Sequence, residues 1–381
     1  MTPLLVPRAD AGPLGELLAA RIRESGPISF AEFMRESLYH PAHGYYSRGD
    51  ARRQSDYYTS VDVHPIFGRL IARQLTEMWK LLGSPEPFLA VEAGAGLGRL
   101  GEQILDFAAA KLPAFYAALR YVAVERSPAR RAAHAERLFR HAAAGHFESA
   151  AELVPTISAG CIFSNELLDA LPVHRVTVQS GVLREIYVGW RDGGLVEVTG
   201  KLSAAALGEY FAAQGVRLRE GQQAEVGLDA CDWIERAGAA LANGFVMSID
   251  YGCLARDLYG DGHNRGTLLA YRNHRASENV LDAPGQQDLT AHVNFTALEV
   301  WGRRSGLLPA GLVTQSRFLL ALGRENELAD LYNEGQSELE RLQARLALKH
   351  LIQPEGLGEK FLVFIQYKEI NAPRLTGLSG L

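Results

Sequence analysis

The sequence predicts an α/β fold built on a mostly parallel sheet, with a helical region before it and an antiparallel element inserted into it. Three observations carry this. Four short apolar runs, "FLAVEA" from Phe88, "RYVAVE" from Arg120, "GCIFSN" from Gly160 and "GFVMSID" from Gly244, alternate with stretches of helical period. That alternation is the pattern of parallel strands joined by crossover helices. A turn with Gly94, Gly96 and Gly98 lies between the first run and a helix-like segment, and "VHRVTVQSGVLREIYVGWRDGGLVEVTG" alternates apolar and polar residues across Ser180-Gly181 and Gly193-Gly194, as antiparallel hairpins do.

The elements follow in order. "GELLAARIRESG" places Leu17, Leu18 and Ile22 on one helical face. "SFAEFMRESLYH" opens with Ser29 as N-cap and Glu32 three residues on, a capping box. "HPAHGYYSRGD" has the composition of a turn-rich loop, and "FGRLIARQLTEMWKLLG" returns to helical period before Gly83. Residues 1–85 are therefore expected to form a helical amino-terminal region carrying substrate and cofactor loops, and residues 86–381 the main domain, with the insertion at about 172–240. The stretch from Arg265 to Phe295 reads as too polar and turn-rich for core, and a long structureless segment in a compact domain is usually functional. "EKFLVFIQYKE" reads as a last strand.

Composition narrows the function. With 381 residues and 47% hydrophobic content the chain can bury a large core. Its 39 basic and 44 acidic side chains lack the positive field of a dedicated nucleic-acid binder. Arg130-Arg131 and Arg303-Arg304 read as solvated helix faces. Cys161, Cys231 and Cys253 are far apart and form no C-x-x-C pair, so a reducing compartment is expected. No apolar run approaches the ~18 residues of a spanning helix, and no basic segment followed by a long apolar one opens the chain. The expectation is a soluble, cytoplasmic protein with no membrane and no nucleic-acid partner; a homodimer is compatible with the sequence.

Each parallel strand ends near a polar side chain, Glu92, Glu125, Asn165 and Asp250, and open parallel sheets bind ligands at that edge. A glycine turn lets backbone approach a ligand closely and points amide groups at it. The dinucleotide fingerprint wants G-x-G-x-x-G and an acid ~20 residues later. Here the third glycine comes one position early, and Glu125 lies 31 residues after Gly94. That spacing, with Glu92 just ahead of the glycines, suits the S-adenosylmethionine (SAM) turn of class I methyltransferases better. The candidate cofactor residues are Glu92, Gly94, Gly96, Gly98 and Glu125.

Seven blocks extend this reading. "GPISFAEFMRESLYHPAHGYYS", "YYTSVDVHPIFG", "VEAGAGLGRL", "SNELLDALPVHRV", "SIDYG", "RGTLLAYRNHR" and "QDLTAHVNF" occur in the order seen in the MidA family of class I SAM-dependent methyltransferases, which this chain resembles over roughly residues 15–320. The resemblance implies a Rossmann-like seven-stranded sheet, SAM as cofactor, and methyl transfer to a protein arginine, since the family includes a mitochondrial respiratory complex I assembly factor that methylates arginine. The partner it implies is a protein substrate, a respiratory-complex subunit among the candidates. Two positions depart from the family pattern. The block Ser55-Asp56-Tyr57-Tyr58-Thr59-Ser60 usually opens with Gly-Asp, and Asn294 stands where many relatives carry Asp.

Methyl transfer from a sulfonium needs chiefly a near-attack geometry, and no metal. His40, His43, His64, His274 and His292 have no metal-ligand spacing. Guanidinium is a poor nucleophile with a pKa above about 12, so carboxylates that bind and localise its charge assist. "SNELLDALP" supplies Glu166 and Asp169 at i and i+3, on one face of a helix starting after the strand, with Asn165 adding an amide oxygen. These three are the candidate catalytic residues. The alternative is that Asn165 caps the helix and both acids satisfy its amides. Asp250, Tyr251 and His292 are candidate substrate residues, with a tight turn and a buried structural histidine as the alternatives. Tyr45-Tyr46 and Tyr57-Tyr58 are placed to stack on adenine or a cation, or to pack. Two rivals share the cofactor: a small-molecule N- or O-methyltransferase, and an assembly factor that acts by holding a partner.

Overall fold

The computed structural model describes residues 12–47, 60–273, 275–324, 328 and 337–379. The chain divides into two compact units: Met1–Tyr57, Asp169–Ala230 and Cys253–Ala297 form one, and Tyr58–Leu168, Cys231–Gly252 and Leu298–Leu381 the other. The amino-terminal 85 residues thus divide between the units, and the inserted unit also takes in residues 253–297.

The second unit is built on seven strands: β1 (Phe88–Ala93), β2 (Leu119–Val124), β3 (Phe147–Ala150), β4 (Gly160–Asn165), β5 (Gly244–Cys253), β6 (Leu308–Thr314) and β7 (Phe361–Lys368). Their order across the sheet is β6-β7-β5-β4-β1-β2-β3. β7 is antiparallel to both neighbours and the other pairings are parallel. Chain order reverses direction between β1 and β4, the topological switch point where such sheets bind ligands. The register brings the functional ends level: Ala93 pairs with Val124 and with Ser164, and Asn165 with Ile249. Gly94, Glu125 and Glu166 therefore leave the sheet at one edge, level with Asp250 on β5.

The helix Ile66–Leu81 buries Phe67, Leu70, Ile71, Leu75 and Met78, an i, i+3, i+4 stripe that joins the core with Phe88, Ile104, Phe163, Phe245 and Phe318. The helix Arg99–Lys111 starts directly after Gly98, and Ser127 caps the helix Pro128–Arg137, with proline at its first turn. Arg131 corrects the solvated-face expectation. Its guanidinium donates to the carbonyls of Glu125 and Arg126 at 2.6 and 2.7 Å, because its helix turns back over the end of β2. Arg303 and Arg304 are exposed and pair with Glu299 and Glu235. Among the described residues no helix is long and apolar enough to cross a membrane.

The first unit packs the helices Gly12–Ser25 and Phe30–Tyr39 with antiparallel strands. Ser29 caps the second helix by accepting from the Glu32 amide at 3.1 Å; the Glu32 carboxylate pairs with Arg21, so the cap is made from one side. The hairpins form as expected over His174–Gln179, Val182–Arg191 and Gly194–Gly200. Their second turn falls on Asp192-Gly193, both at positive φ, and not on Gly193-Gly194. The Arg265–Phe295 stretch is not structureless. It forms a three-stranded sheet, Leu269–Arg272, Arg275–Ser277 and Asp288–Thr290, and buries Leu268, Ala270, Val280, Leu289 and Ala291 with Phe30, Phe33 and Met34. These apolar residues come in short runs between polar and turn residues, so their shared core was not visible from the sequence.

Candidate active site

The glycine turn begins where β1 stops. The amides of Gly94 and Ala95 both donate to the carbonyl of Val124, at 2.9 and 3.0 Å, folding the chain back over β2. All three glycines have positive φ. A Cβ at Gly94 would lie 2.9 Å from the Leu167 side chain and one at Gly98 3.0 Å from the imidazole of His134, while beside Gly96 nothing lies within 4 Å. The turn is thus closed on its protein side and open at its tip, where backbone can approach a ligand. Glu125 is buried, accepts from the Gly96 amide at 3.0 Å through one oxygen, and from the Ser127 amide at 2.8 Å through the other. Each oxygen keeps lone-pair capacity for a hydroxyl donor.

Glu92 is also buried, and the Tyr121 hydroxyl donates to it at 2.6 Å. Burial pushes its pKa up to about 8; the Tyr121 hydrogen bond opposes this and the nearby Glu125 adds to it. The carboxyl ahead of the glycines is therefore largely protonated at neutral pH, a consequence of its depth in the sheet.

At the end of β4 the structure corrects the helix expected after Asn165. Residues 166–170 are not helical, and Glu166 adopts a left-handed φ of 54°. The reason lies on the neighbouring strand. The Glu166 amide donates to the Ile249 carbonyl at 3.0 Å, and the Asp250 carboxylate takes the amides of Leu167 and Leu168 at 3.2 and 2.8 Å and that of Tyr251 at 2.9 Å. With its amide held by β5, Glu166 keeps a left-handed φ, and a residue in that region cannot open a right-handed helix. Asp250 is wholly buried, with its carboxylate engaged by these loop amides. The Tyr251 ring packs edge-on against Phe361, at 5.6 Å.

The Glu166 carboxylate accepts from the Ser60 amide at 2.9 Å and the Asn165 side-chain amide at 3.1 Å. The side-chain oxygen of Asn165 is buried and has no hydrogen-bond partner among the described residues. Residues 60–63, which carried no chemical signal of their own in the sequence, belong here: Asp62 pairs with Arg99, the Val61 carbonyl accepts from Gln103 at 3.0 Å, and the Ser60 hydroxyl donates to Gln315 at 3.1 Å.

Asp169 and His292 lie in the other unit, and the shared face expected for Glu166 and Asp169 disappears with the helix. The Asp169 carbonyl accepts from the Ala291 amide at 3.0 Å. Tyr46 donates to both oxygens of Asp288, at 2.8 and 2.9 Å, and its pKa is raised by burial first, then by Asp288, Tyr39 and Asp169. Tyr45 packs into the core, edge-on to Tyr46. His292 donates its backbone amide to the Thr267 hydroxyl at 3.0 Å; burial, helped by His263, pulls its pKa down to about 4, so the ring is neutral at pH 7. Asn294 caps the helix Phe295–Arg304 by accepting from the Ala297 amide at 3.1 Å, and its amide donates to Tyr210, Gln214 and Tyr259. The Gln214 oxygen can only accept, so an aspartate at this position would have no donor for it. Tyr57, Tyr58 and His274 lie outside the described residues. Among the described residues no three His, Cys, Asp or Glu are grouped to hold a metal ion.

The strand order, the glycine turn at the switch point and the acid ending β2 define a class I SAM-dependent methyltransferase. The chain belongs to the family described as "Putative S-adenosyl-L-methionine-dependent methyltransferase", whose model matches residues 70–313, in agreement with the MidA resemblance. It is 28% identical to the mitochondrial protein arginine methyltransferase NDUFAF7 homolog of Drosophila melanogaster, over 96% of this chain and 87% of that one. With the human mitochondrial protein arginine methyltransferase NDUFAF7 it shares 27% identity over 92% and 82%. A Burkholderia thailandensis crystal structure with S-adenosyl-homocysteine bound superposes with a TM-score of 0.86 at 29% identity, covering 97% of this chain and 95% of that one. The cofactor is SAM. The residues fit it: the open tip at Gly96 would admit a nucleoside beside backbone, and the Glu125 carboxylate would accept from ribose hydroxyls.

Proposed function

We propose that this methyltransferase acts on an arginine side chain of a protein substrate. The observation that carries the reading is the acceptor-rich pair at the end of β4, where the Glu166 carboxylate is fixed in a left-handed conformation beside the buried, unpartnered side-chain oxygen of Asn165. A guanidinium carries five N–H donors in a fixed fork and no acceptor, and carboxylate plus amide oxygen match that inventory. The bound cofactor supplies an electrophilic methyl on a sulfonium. Glu166 and Asn165 orient the acceptor nitrogen and draw the guanidinium charge toward the carboxylate, leaving the attacking nitrogen better able to donate its electrons. The names of the relatives, protein arginine methyltransferases, support the same acceptor.

The test is methylation of an arginine-bearing protein, followed by intact mass, with wild type and Glu166→Gln. Glutamine keeps the shape and removes the charge. Turnover should fall by about 2–4 kcal/mol in activation free energy, the loss seen when one preorganised electrostatic contact to a reacting group is removed. S-adenosylhomocysteine affinity should stay. Unchanged turnover removes Glu166 from the mechanism, and methylation of small amines or alcohols in preference to protein replaces the acceptor class.

A further inference from the structure

We propose that His134 is a positioning residue for the cofactor turn, holding the Gly96 backbone in its binding conformation. His134 is the one buried residue of the helix Pro128–Arg137. Its Nε2 lies 2.9 Å from the Gly96 carbonyl oxygen, and its Nδ1 lies 2.8 Å from the hydroxyl of Ser149 on β3. A carbonyl can only accept, so Nε2 carries the proton and Nδ1 accepts from Ser149. The partners thus select one neutral tautomer. Burial favours the same neutral form by lowering the imidazole pKa from its ordinary value, against the Gly96 hydrogen bond and Glu125, with Arg131 and Arg137 assisting.

The consequence lies in glycine's freedom. Among the described residues nothing lies within 4 Å of a Cβ placed at Gly96, so their packing does not choose its conformation, and an unrestrained glycine populates both signs of φ. Two hydrogen bonds make the choice instead. Glu125 takes the N–H of the peptide before Gly96, and His134 donates to the C=O of the peptide after it. Both peptide planes are therefore set, and φ stays at 54°. The imidazole also occupies the space beside Gly98, at 3.0 Å from a built Cβ, which couples the two glycines through one ring. A turn ordered in advance binds more tightly because less ordering entropy is lost on binding. The sequence carried no sign of this, since His134 sits in a polar helix with no motif around it.

The inference rests on the SAM assignment and not on the arginine acceptor, so its test needs no acceptor. S-adenosylhomocysteine affinity is measured by calorimetry on the full chain for His134→Met, which matches the length without a donor, and His134→Gln, whose amide can reach the Gly96 carbonyl. Methionine should weaken binding about tenfold, the scale of one net hydrogen bond, and glutamine should recover most of it. Wild-type affinity in a folded His134→Met, or equal losses in both variants, overturns the inference. Should His134→Met not fold, Ser149→Ala decides. It frees the imidazole to take the other tautomer, whose bare Nε2 repels the Gly96 carbonyl. A several-fold affinity loss at unchanged melting temperature supports the clamp, and wild-type affinity overturns it.

Discussion

The loops after β1 and after β4 leave the same sheet at the same edge, yet they are made by different physics. After β1 the chain turns on glycines, for which left-handed φ carries no steric cost, and a helix starts at once. After β4 the left-handed residue is Glu166, and no helix follows for several residues. A non-glycine residue in that region costs of order 1–3 kcal/mol and persists where its surroundings overdetermine it. Here those surroundings are Ser60, Ile249 and Asp250. The cofactor loop is permissive by composition; the proposed acceptor loop is held in place by its neighbours.

That contrast can be broken most strongly at Asp250. Asp250→Ala leaves the amides of Leu167, Leu168 and Tyr251 buried without their acceptor, and should cost about 2–4 kcal/mol in chemical denaturation while also abolishing turnover. A loss of stability with full activity would show that the loop does not depend on its anchor.

On the β1 side, the sharper probe is pH. Glu92 has its pKa raised from 4.5 to about 8, so the folded state keeps a proton that the unfolded chain releases across that window. Stability therefore declines as pH rises from about 4.5 to about 8 and levels off above it. Glu92→Gln lacks this decline. Its melting temperature relative to wild type should rise between about pH 5 and about pH 8, and a constant difference would mean that Glu92 is ionised in the fold.

The smallest expected effect on stability is the most diagnostic for strain. Glu166→Gly relieves the left-handed conformation by about 1 kcal/mol and loses the hydrogen bond to the Ser60 amide, of similar size, so the melting temperature should hardly move. Turnover should be lost. A large drop in melting temperature would assign the carboxylate to the fold and not to the acceptor.

Much of the parallel sheet was legible because its signals are local. "FLAVEA" and "GCIFSN" are strands over the residues read, the glycine turn follows where it was placed, and Glu125 ends β2. Apolar runs and φ-permissive residues act within a few positions of themselves, and spacing alone separated SAM from a dinucleotide. The loop after β4 was read as a helix because helical segments follow the other parallel strands of such a fold. The left-handed Glu166 breaks that expectation, and the loop is held by Ile249 and Asp250, the latter 82 residues on from Leu168.

The sequence by itself determined most strands of the sheet and the cofactor turn, because these follow from side-chain periodicity and backbone permissiveness along the chain, and its resemblance to a family implied the class of chemistry. Tertiary structure alone decided that Asp169 and Glu166 belong to different units, that residues 265–295 fold into a sheet, and that His134 and Asp250 position loops on other elements. Each of these depends on a hydrogen bond or shared core between residues far apart in the chain, and such partners exist only once the fold has brought them together.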